Sequence, residues 1–156
     1  MLEKIKSDEA VVICKKAIDN FGEAMQKVVV MEELAELIIA LANALMNRPN
    51  NIEEEVADVE IMCIQLRIMY GDKKVKAAHK DVVEFTGSNL IERSIKMCGI
   101  LQQSISKSLR DKHEDKLYRD IALVEEICKA LRRKFNGPEV EQIKQEKLIR
   151  LKWGVW

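Results

Sequence analysis

Apolar residues recur along this chain at intervals of three and four, and no sustained stretch alternates apolar and polar residues as a β-strand does. Such spacing puts apolar side chains on one face of a helix, which has 3.6 residues per turn. The two prolines and six glycines fall mostly between the apolar segments. The pattern therefore predicts an all-α fold.

Breaks and capping residues divide the chain into a series of predicted helices. Ser7 is the predicted N-cap of the first, and Asn89 with Glu92 forms a predicted capping box for the fifth. Gly22 and Gly71 are predicted stops of the first and third helices. The expected spans are about 7–22, 23–46, 52–70, 72–85, 89–110, 115–135 and 138–152.

A faint internal repeat relates two parts of the chain. The segments IMCIQLRIMYG (61–71) and EICKALRRKFNG (126–137) have a cysteine, a leucine, an arginine and an aromatic residue in the same order, closed by glycine. A shift of about sixty-five residues also keeps the apolar stripe of the second helix. It aligns Leu34, Leu37, Leu41 and Leu45 with Cys98, Leu101, Ile105 and Leu109.

The repeat predicts a helical bundle built from two pseudo-repeated antiparallel helix pairs. The first repeat covers about 23–72 and carries acidic residues; the second covers about 88–137, and we expect it to lack them. A basic C-terminal helix at 138–152 follows. Residues 1–156 then form one domain, which this length allows. An accidental likeness between amphipathic helices is the alternative.

Composition indicates which classes of partner to expect and in which cellular compartment the protein works. The 26 basic and 26 acidic residues cancel, which gives no reason to expect a nucleic acid polymer or a membrane surface as partner. The first ten residues contain no apolar secretory core, and the longest apolar run, LIIALANALM, is about half of a membrane-spanning length. Four widely spaced cysteines favour reduced thiols packed as small hydrophobes. We therefore expect a cytoplasmic protein.

Four carboxylates lie beside the apolar stripes of the second and third helices. Glu33 and Glu36 are one helical turn apart, as are Glu55 and Asp58. Antiparallel packing would bring the two rows face to face at the edge of the core. Like charges there raise one another's pKa unless a cation neutralises them, and hard cations such as Mg²⁺ prefer oxygen ligands. Ordinary solvated helix charges are the alternative, since such spacings are common.

The acidic rows lie in a wider sequence context, made of FGEAMQ, EELAEL, EEVADVEIM and the basic ending VEQIKQEKLIRLK. Together these segments resemble the MazG-like, all-α nucleoside triphosphate pyrophosphohydrolases, whose signature is ExxE–ExxD. The likeness covers roughly residues 15–72 and 138–152. It implies an Mg²⁺-dependent enzyme, with Mn²⁺ as an alternative ion, that cleaves a nucleoside triphosphate to the monophosphate and pyrophosphate.

The resemblance also implies roles for the acidic residues. Glu33, Glu36, Glu55 and Asp58 take the metal-ligand positions of the family. Glu33 or Glu36 is the candidate base that accepts the proton of the attacking water. A di-iron carboxylate bundle is the competing metal site, but it requires a Glu-x-x-His motif, which this sequence lacks.

The chain departs from the family in two ways. The span between Gly71 and Pro138 is an insertion relative to the simplest members, which resemble half of a dimeric bundle. Either a homodimer or a self-contained monomer is therefore expected. Asn43 stands where family members often carry lysine, and the aligned Lys107 is the candidate replacement in a composite site. A surface role for Lys107 is the alternative.

Three further residues are candidates for binding substrate. Lys147 and Arg150 share a face of the last helix, where they either contact phosphate or form a solvated basic face. Gln26 precedes the acidic row by two turns and is a candidate nucleotide contact. A non-catalytic helical interaction module, a pseudoenzyme, is the competing function.

Overall fold

Helices account for the regular structure of this computed structural model, which describes residues 3–82, 88–110, 112 and 115–155. No strand occurs in those ranges, so the prediction of an all-α fold is confirmed. None of the described helices has the length and apolar character that a membrane crossing needs. The helices are α1 (Ser7–Phe21), α2 (Glu23–Leu45), α3 (Ile52–Tyr70), α4 (Asp72–Ala78), α5 (Leu90–Leu109), α6 (Lys116–Lys134) and α7 (Gly137–Lys152).

The predicted helix boundaries agree with the structure to within one residue at each end, with one exception. That exception is the fourth helix, expected at 72–85. The α-helix ends at Ala78, and a 3-10 turn follows over His79–Asp81. Residues 83–85 lie outside the described part of the chain.

The two predicted N-caps are wrong in detail. Ser7 is the first residue of α1, and the capping position belongs to Lys6. Asn89 does occupy the capping position of α5, but its backbone is left-handed, with φ of 67°, and its side chain makes no capping hydrogen bond to a described residue. A capping side chain normally acts from an extended backbone, so this conformation does not support a capping box with Glu92.

Glycine makes the joints at the ends of α1 and α3. Gly22 has a φ of 89° and Gly71 a φ of 125°. Residues with a side chain rarely adopt positive φ, whereas glycine does so at little cost. The predicted glycine stops are thus confirmed, and each lets the next helix leave in a new direction.

Four helices form the central bundle. Helix α2 packs against α3 and α5, and α6 packs against the same two helices, so the contacts close a ring in the order α2, α3, α6, α5. Leu45, the last residue of the predicted α2 stripe, is exposed because the helix ends there. The core is filled by fully buried aliphatic side chains, among them Leu34, Leu37, Leu41, Leu66, Leu101, Ile105, Ile121 and Ile127.

Helices α1 and α7 pack against each other and against α3. The start of α7 is capped by Asn136, whose side chain accepts a hydrogen bond from the Glu139 N–H at 3.1 Å. Further along, Gln145 accepts from the Ile5 N–H at 2.7 Å and donates to the Ile5 carbonyl at 3.2 Å. Helix α7 is joined to α3 by Lys144, which donates to Glu60 Oε1 at 2.9 Å, and its basic residues thereby reach the acidic start of α3.

Two bidentate ion pairs join α3 to α6. Arg67 donates to both carboxylate oxygens of Glu125, at 2.7 and 2.9 Å, and Arg132 donates to both of Glu60, at 2.5 and 2.7 Å. All four side chains are mostly buried. Paired contacts of this kind define the relative position of two helices more strictly than a single surface ion pair does.

All four cysteines are buried and carry free thiols. Burial raises the pKa of Cys14 and of Cys98 to about 12. The thiols are therefore protonated at neutral pH and pack as small apolar groups, as the sequence predicts.

Candidate metal centre

Three carboxylates meet where α2 passes the first turns of α3. Glu33 comes from the middle of α2, and Glu55 and Asp58 come from the beginning of α3. One oxygen from each lies within 4.8 Å of the others. The three residues are only 7%, 5% and 5% exposed. We call them the acidic cluster, and their side chains are almost completely buried.

Helix periodicity brings each acid to this place. Glu55 and Asp58 flank the buried Val56, and Glu33 borders the apolar stripe of α2 in the same way. The beginning of a helix also favours negative charge, because its first N–H groups are unpaired. The Asn51 side chain donates to Glu55 Oε1 at 2.5 Å and holds that carboxylate in position.

Each member of the acidic cluster keeps one oxygen that has no hydrogen-bond partner among the described residues. These atoms are Glu33 Oε2, Glu55 Oε2 and Asp58 Oδ1. A buried acceptor left unpaired costs on the order of 1–3 kcal/mol, and more when it is charged. A cation coordinated by all three would remove that cost. Because the donors are carboxylate oxygens, the group fits Mg²⁺ or Mn²⁺ rather than a soft metal.

Burial and mutual repulsion raise the pKa values in the cluster. Burial, followed by the charges of Asp58, Glu36 and Glu55, raises the pKa of Glu33 to about 8. Burial, followed by the charges of Asp58 and Glu36, raises the pKa of Glu55 to about 7. Burial also raises the pKa of Asp58, in spite of its hydrogen bond from Lys147. Near neutral pH, Glu33 is therefore mostly protonated when no cation is bound.

Lys147 and Arg150 of α7 face the acidic cluster. With it they line a pocket of about 210 Å³, the acidic pocket. Lys147 Nζ lies 2.5 Å from Asp58 Oδ2 and 3.4 Å from Glu54 Oε1. Burial would lower the pKa of Lys147, but the hydrogen bond and charge of Asp58 outweigh it and raise that pKa. Lys147 therefore stays charged and contributes one positive charge to the pocket.

Glu36 differs from the other three predicted ligands. It lines the acidic pocket, but it is exposed and does not belong to the group of mutually close carboxylates found in the described ranges. Residue 36 is roughly 60° round the helix axis from residue 33, toward solvent. Its apolar neighbours are divided in the same way, since Leu37 is buried and Ile39 is 60% exposed. Three of the four predicted ligands therefore form the group of mutually close carboxylates, and Glu36 lines the same pocket outside that group, at its rim.

Gln26 and Lys107 do not line the acidic pocket in the described part of the chain. Gln26 is buried and lines a neighbouring apolar pocket. Lys107 lies in the last turn of α5, and the adjacent Ser108 hydrogen-bonds Tyr70 at 2.5 Å. Tyr70 ends α3, whereas the acidic cluster lies at its beginning. The predicted composite site with Lys107 is therefore not formed, because α5 brings its C-terminal turn to the opposite end of α3.

Two residues near the site were not singled out from the sequence. Glu54 pairs with Lys147 at the acidic pocket, and the run of three glutamates offered no means of choosing it. Gln65 is 1% exposed and keeps an unpaired Oε1 among the described residues. A signal for Gln65 did exist, because it follows Asp58 by seven residues on the same helix face.

Comparison with known proteins identifies no relative. No protein-family model, no curated protein and no solved structure matches this chain. The MazG-like resemblance therefore depends on the motifs quoted above, and the acidic cluster is the candidate site among the described residues.

Proposed function

We propose that this protein is an Mg²⁺-dependent nucleoside triphosphate pyrophosphohydrolase, which converts a ribo- or deoxynucleoside triphosphate to the monophosphate and pyrophosphate. The observation that carries the proposal is the convergence of three buried carboxylates, each with an unpaired oxygen. Such a cluster destabilises a fold unless it serves a cation. The two basic side chains on the same pocket add the charge that complements a triphosphate.

The residues of the pocket have distinct tasks in this proposal. Glu33, Glu55 and Asp58 hold Mg²⁺, or Mn²⁺ in its place, through their unpaired oxygens. An ion bound there would supply charge neutralisation at the phosphates and would activate the attacking water. Lys147 and Arg150 contact phosphate oxygens, and Lys147 exchanges part of its pairing with Asp58 for the substrate.

Glu36 is the candidate general base. It is exposed, lines the acidic pocket and lies outside the group of mutually close carboxylates among the described residues, so a water in the pocket can reach it. Glu33, the other candidate base from the sequence, acts here as a ligand. The attacking water loses a proton to Glu36 and its oxygen bonds to the α-phosphorus. Pyrophosphate leaves with the bridging oxygen, and the nucleoside monophosphate keeps the new one.

The helix pairs α2–α3 and α5–α6 are, in this proposal, two copies of one unit within a single domain. When the sequence is aligned with itself at a shift of 65 residues, Glu60 corresponds to Glu125 and Arg67 corresponds to Arg132. The ion pairs between them are reciprocal, since each arginine binds the glutamate of the other helix. Reciprocal contacts are typical of interfaces between identical units, so they support duplication of a helix pair. A homodimer is then not needed to complete the ring of four helices.

A non-catalytic helical interaction module is the second candidate function. Lys147 already gives the acidic cluster one positive charge. Phe21, Met25 and Trp153 expose apolar surface, which a protein partner would cover. Stability separates the two candidates, because a pyrophosphohydrolase gains stability from Mg²⁺ and from a nucleotide, whereas an interaction module gains neither.

The experiment is to measure pyrophosphate release from a panel of ribo- and deoxynucleoside triphosphates with Mg²⁺, for the parent protein and for Glu36→Gln. We expect release by the parent and a loss in kcat of about 100-fold or more in the variant, since a general base contributes about 10²–10⁴-fold. Glu32→Gln is the matched control, because Glu32 is exposed on the same helix and is not a described lining residue of the pocket. No release from any nucleotide by a folded parent protein would reject the proposal.

A further inference from the structure

A second pocket, of about 200 Å³, is lined by residues of α1, α2, α3 and α7 and combines apolar walls with two buried amides. Gln26 and Gln65 are buried, whereas Phe21 and Met25 are more than half exposed. The pocket is therefore a half-open slot whose polar groups lie deepest. We call it the amide pocket, and its lining includes Gln26, Gln65, Phe21, Met25, Val29 and Leu151.

The Gln65 carboxamide is incompletely paired. Its Oε1 is buried and has no hydrogen-bond partner within the part of the chain that the structure describes. Buried amide oxygens are nearly always paired, because an unpaired one destabilises the fold. The amide pocket thus lacks a hydrogen-bond donor that a ligand with an N–H group would supply.

The amide pocket lies close enough to the acidic cluster for one nucleotide to reach both. Gln26 precedes Glu33 by seven residues on α2, and Gln65 follows Asp58 by seven residues on α3. Seven residues make about two helical turns, or about 10 Å, and return to the same face. Helix α7 borders both pockets as well. The two pockets therefore follow one another along three helices.

We infer that the amide pocket binds the nucleobase of the substrate and that Gln65, with Gln26, selects the base; this inference rests on the proposed function. Phe21 and Met25 offer an apolar surface to one face of a planar ring. A carboxamide presents one acceptor and two donors, which complement the adjacent donor and acceptor atoms on the pairing edge of a nucleobase. The ligand class is a base with an N–H or amino donor for Gln65 Oε1, joined through its sugar to phosphates at the acidic cluster.

The first test is Gln65→Met, which keeps the length of the side chain and removes its hydrogen-bonding groups. Because an unpaired buried oxygen disappears, we expect a thermal stability equal to or above that of the parent. We expect kcat/KM for the best triphosphate to fall by about tenfold or more, and the preference among bases to shrink. Gln103→Met, at an exposed position of α5, is the control and should match the parent. An unchanged base preference in Gln65→Met would overturn the inference.

A second test keeps this inference separate from the proposed function. Binding of nucleosides and nucleoside monophosphates is followed by nuclear magnetic resonance in the absence of divalent cations, where no hydrolysis occurs. If binding is selective for the base and is lost in Gln65→Met, base recognition by the amide pocket is supported, whether or not triphosphates are cleaved. Equal cleavage of every nucleoside triphosphate and of inorganic tripolyphosphate would contradict base recognition by the amide pocket. It would leave the proposed pyrophosphohydrolase function unaffected.

Discussion

The helical ring has an α2–α3 half and an α5–α6 half, and the two differ in how their buried acidic side chains are paired. In the α2–α3 half, Glu33, Glu55 and Asp58 face one another, each with an oxygen unpaired among the described residues. In the α5–α6 half, the buried Asp120 has a partner, since Ser104 Oγ donates to its Oδ2 at 2.5 Å. Ser104 thus compensates for the burial of Asp120, whereas the facing acids repel one another and each keep an oxygen that a cation would satisfy.

The alignment of the halves sharpens this contrast. A shift of 65 residues places Asp120 at the position of Glu55 and Leu123 at that of Asp58. Under that alignment the second pair carries an acid, Asp120, at one of the four acidic positions of the first. At this aligned position Asp120 accepts a hydrogen bond from Ser104, whereas Glu55 accepts one from Asn51 and keeps its second oxygen unpaired among the described residues.

The largest effect is expected from matched amide substitutions at this shared position. Glu55→Gln removes a ligand charge, and we expect kcat/KM for pyrophosphate release to fall about 100-fold or more, since a metal contributes several kcal/mol to the transition state. Asp120→Asn should keep kcat/KM within about twofold. It should lower the free energy of unfolding by about 1 kcal/mol, because a charge-assisted hydrogen bond becomes a neutral one.

Steady-state kinetics and denaturant unfolding of the same two proteins measure these effects. Without metal, Glu55→Gln should be at least as stable as the parent at neutral pH, because it removes a buried charge. Equal losses of activity in the two variants would contradict the division of roles between the halves.

A smaller effect is the pH dependence of stability that we expect from the acidic half. The folded-state pKa values of Glu33, about 8, and Glu55, about 7, exceed the ordinary value of 4.5. Within this window the folded protein binds more protons than the unfolded chain, so the metal-free free energy of unfolding falls as pH rises from about 4.5 to about 8. The loss is absent below about 4.5, where both states are protonated.

Mg²⁺ should restore the free energy of unfolding that is lost as pH rises, because the cation binds the deprotonated carboxylates. At about pH 8 we expect a gain of about 2.7 kcal/mol at an ion concentration about one hundred times its Kd. Thermal melts across the pH range, with and without Mg²⁺, measure both effects. Glu33→Gln should flatten the pH dependence and weaken the response to Mg²⁺, whereas Asp120→Asn should change neither. A melting temperature indifferent to Mg²⁺ at every pH would favour the interaction module.

The smallest effect compares the two reciprocal ion pairs of α3 and α6. Glu60→Gln and Glu125→Gln should each lower the free energy of unfolding by about 1–2 kcal/mol, since each leaves a mostly buried arginine less well paired. Similar losses are expected if the two helices are copies of one unit. Asp19→Asn, in the exposed Lys15–Asp19 pair, should cost less than about 0.5 kcal/mol. Losses that differ by more than about 1 kcal/mol would speak against equivalent halves.

Much of the architecture follows from local features of the sequence. Except at the end of α4, the helix limits are predictable to about one residue because apolar periodicity and the joints at Gly22 and Gly71 are local. The association of Glu33 with Asp58 is also predictable, since a short connection makes α2 and α3 neighbours and their acids border facing stripes. The acidic cluster was visible in the sequence for the same reason.

Contacts between distant segments decided the rest. Glu36 and Glu33 are equally plausible ligands in sequence, but the position of α3 covers one and leaves the other at the rim. Lys107 was aligned with the site by its position in a repeat, yet the direction of α5 places it at the other end of α3. Burial and hydrogen-bond partners depend on helices far apart in the chain, so sequence alone determined which acids lie on one face, and only the tertiary structure decided which of them lack a partner.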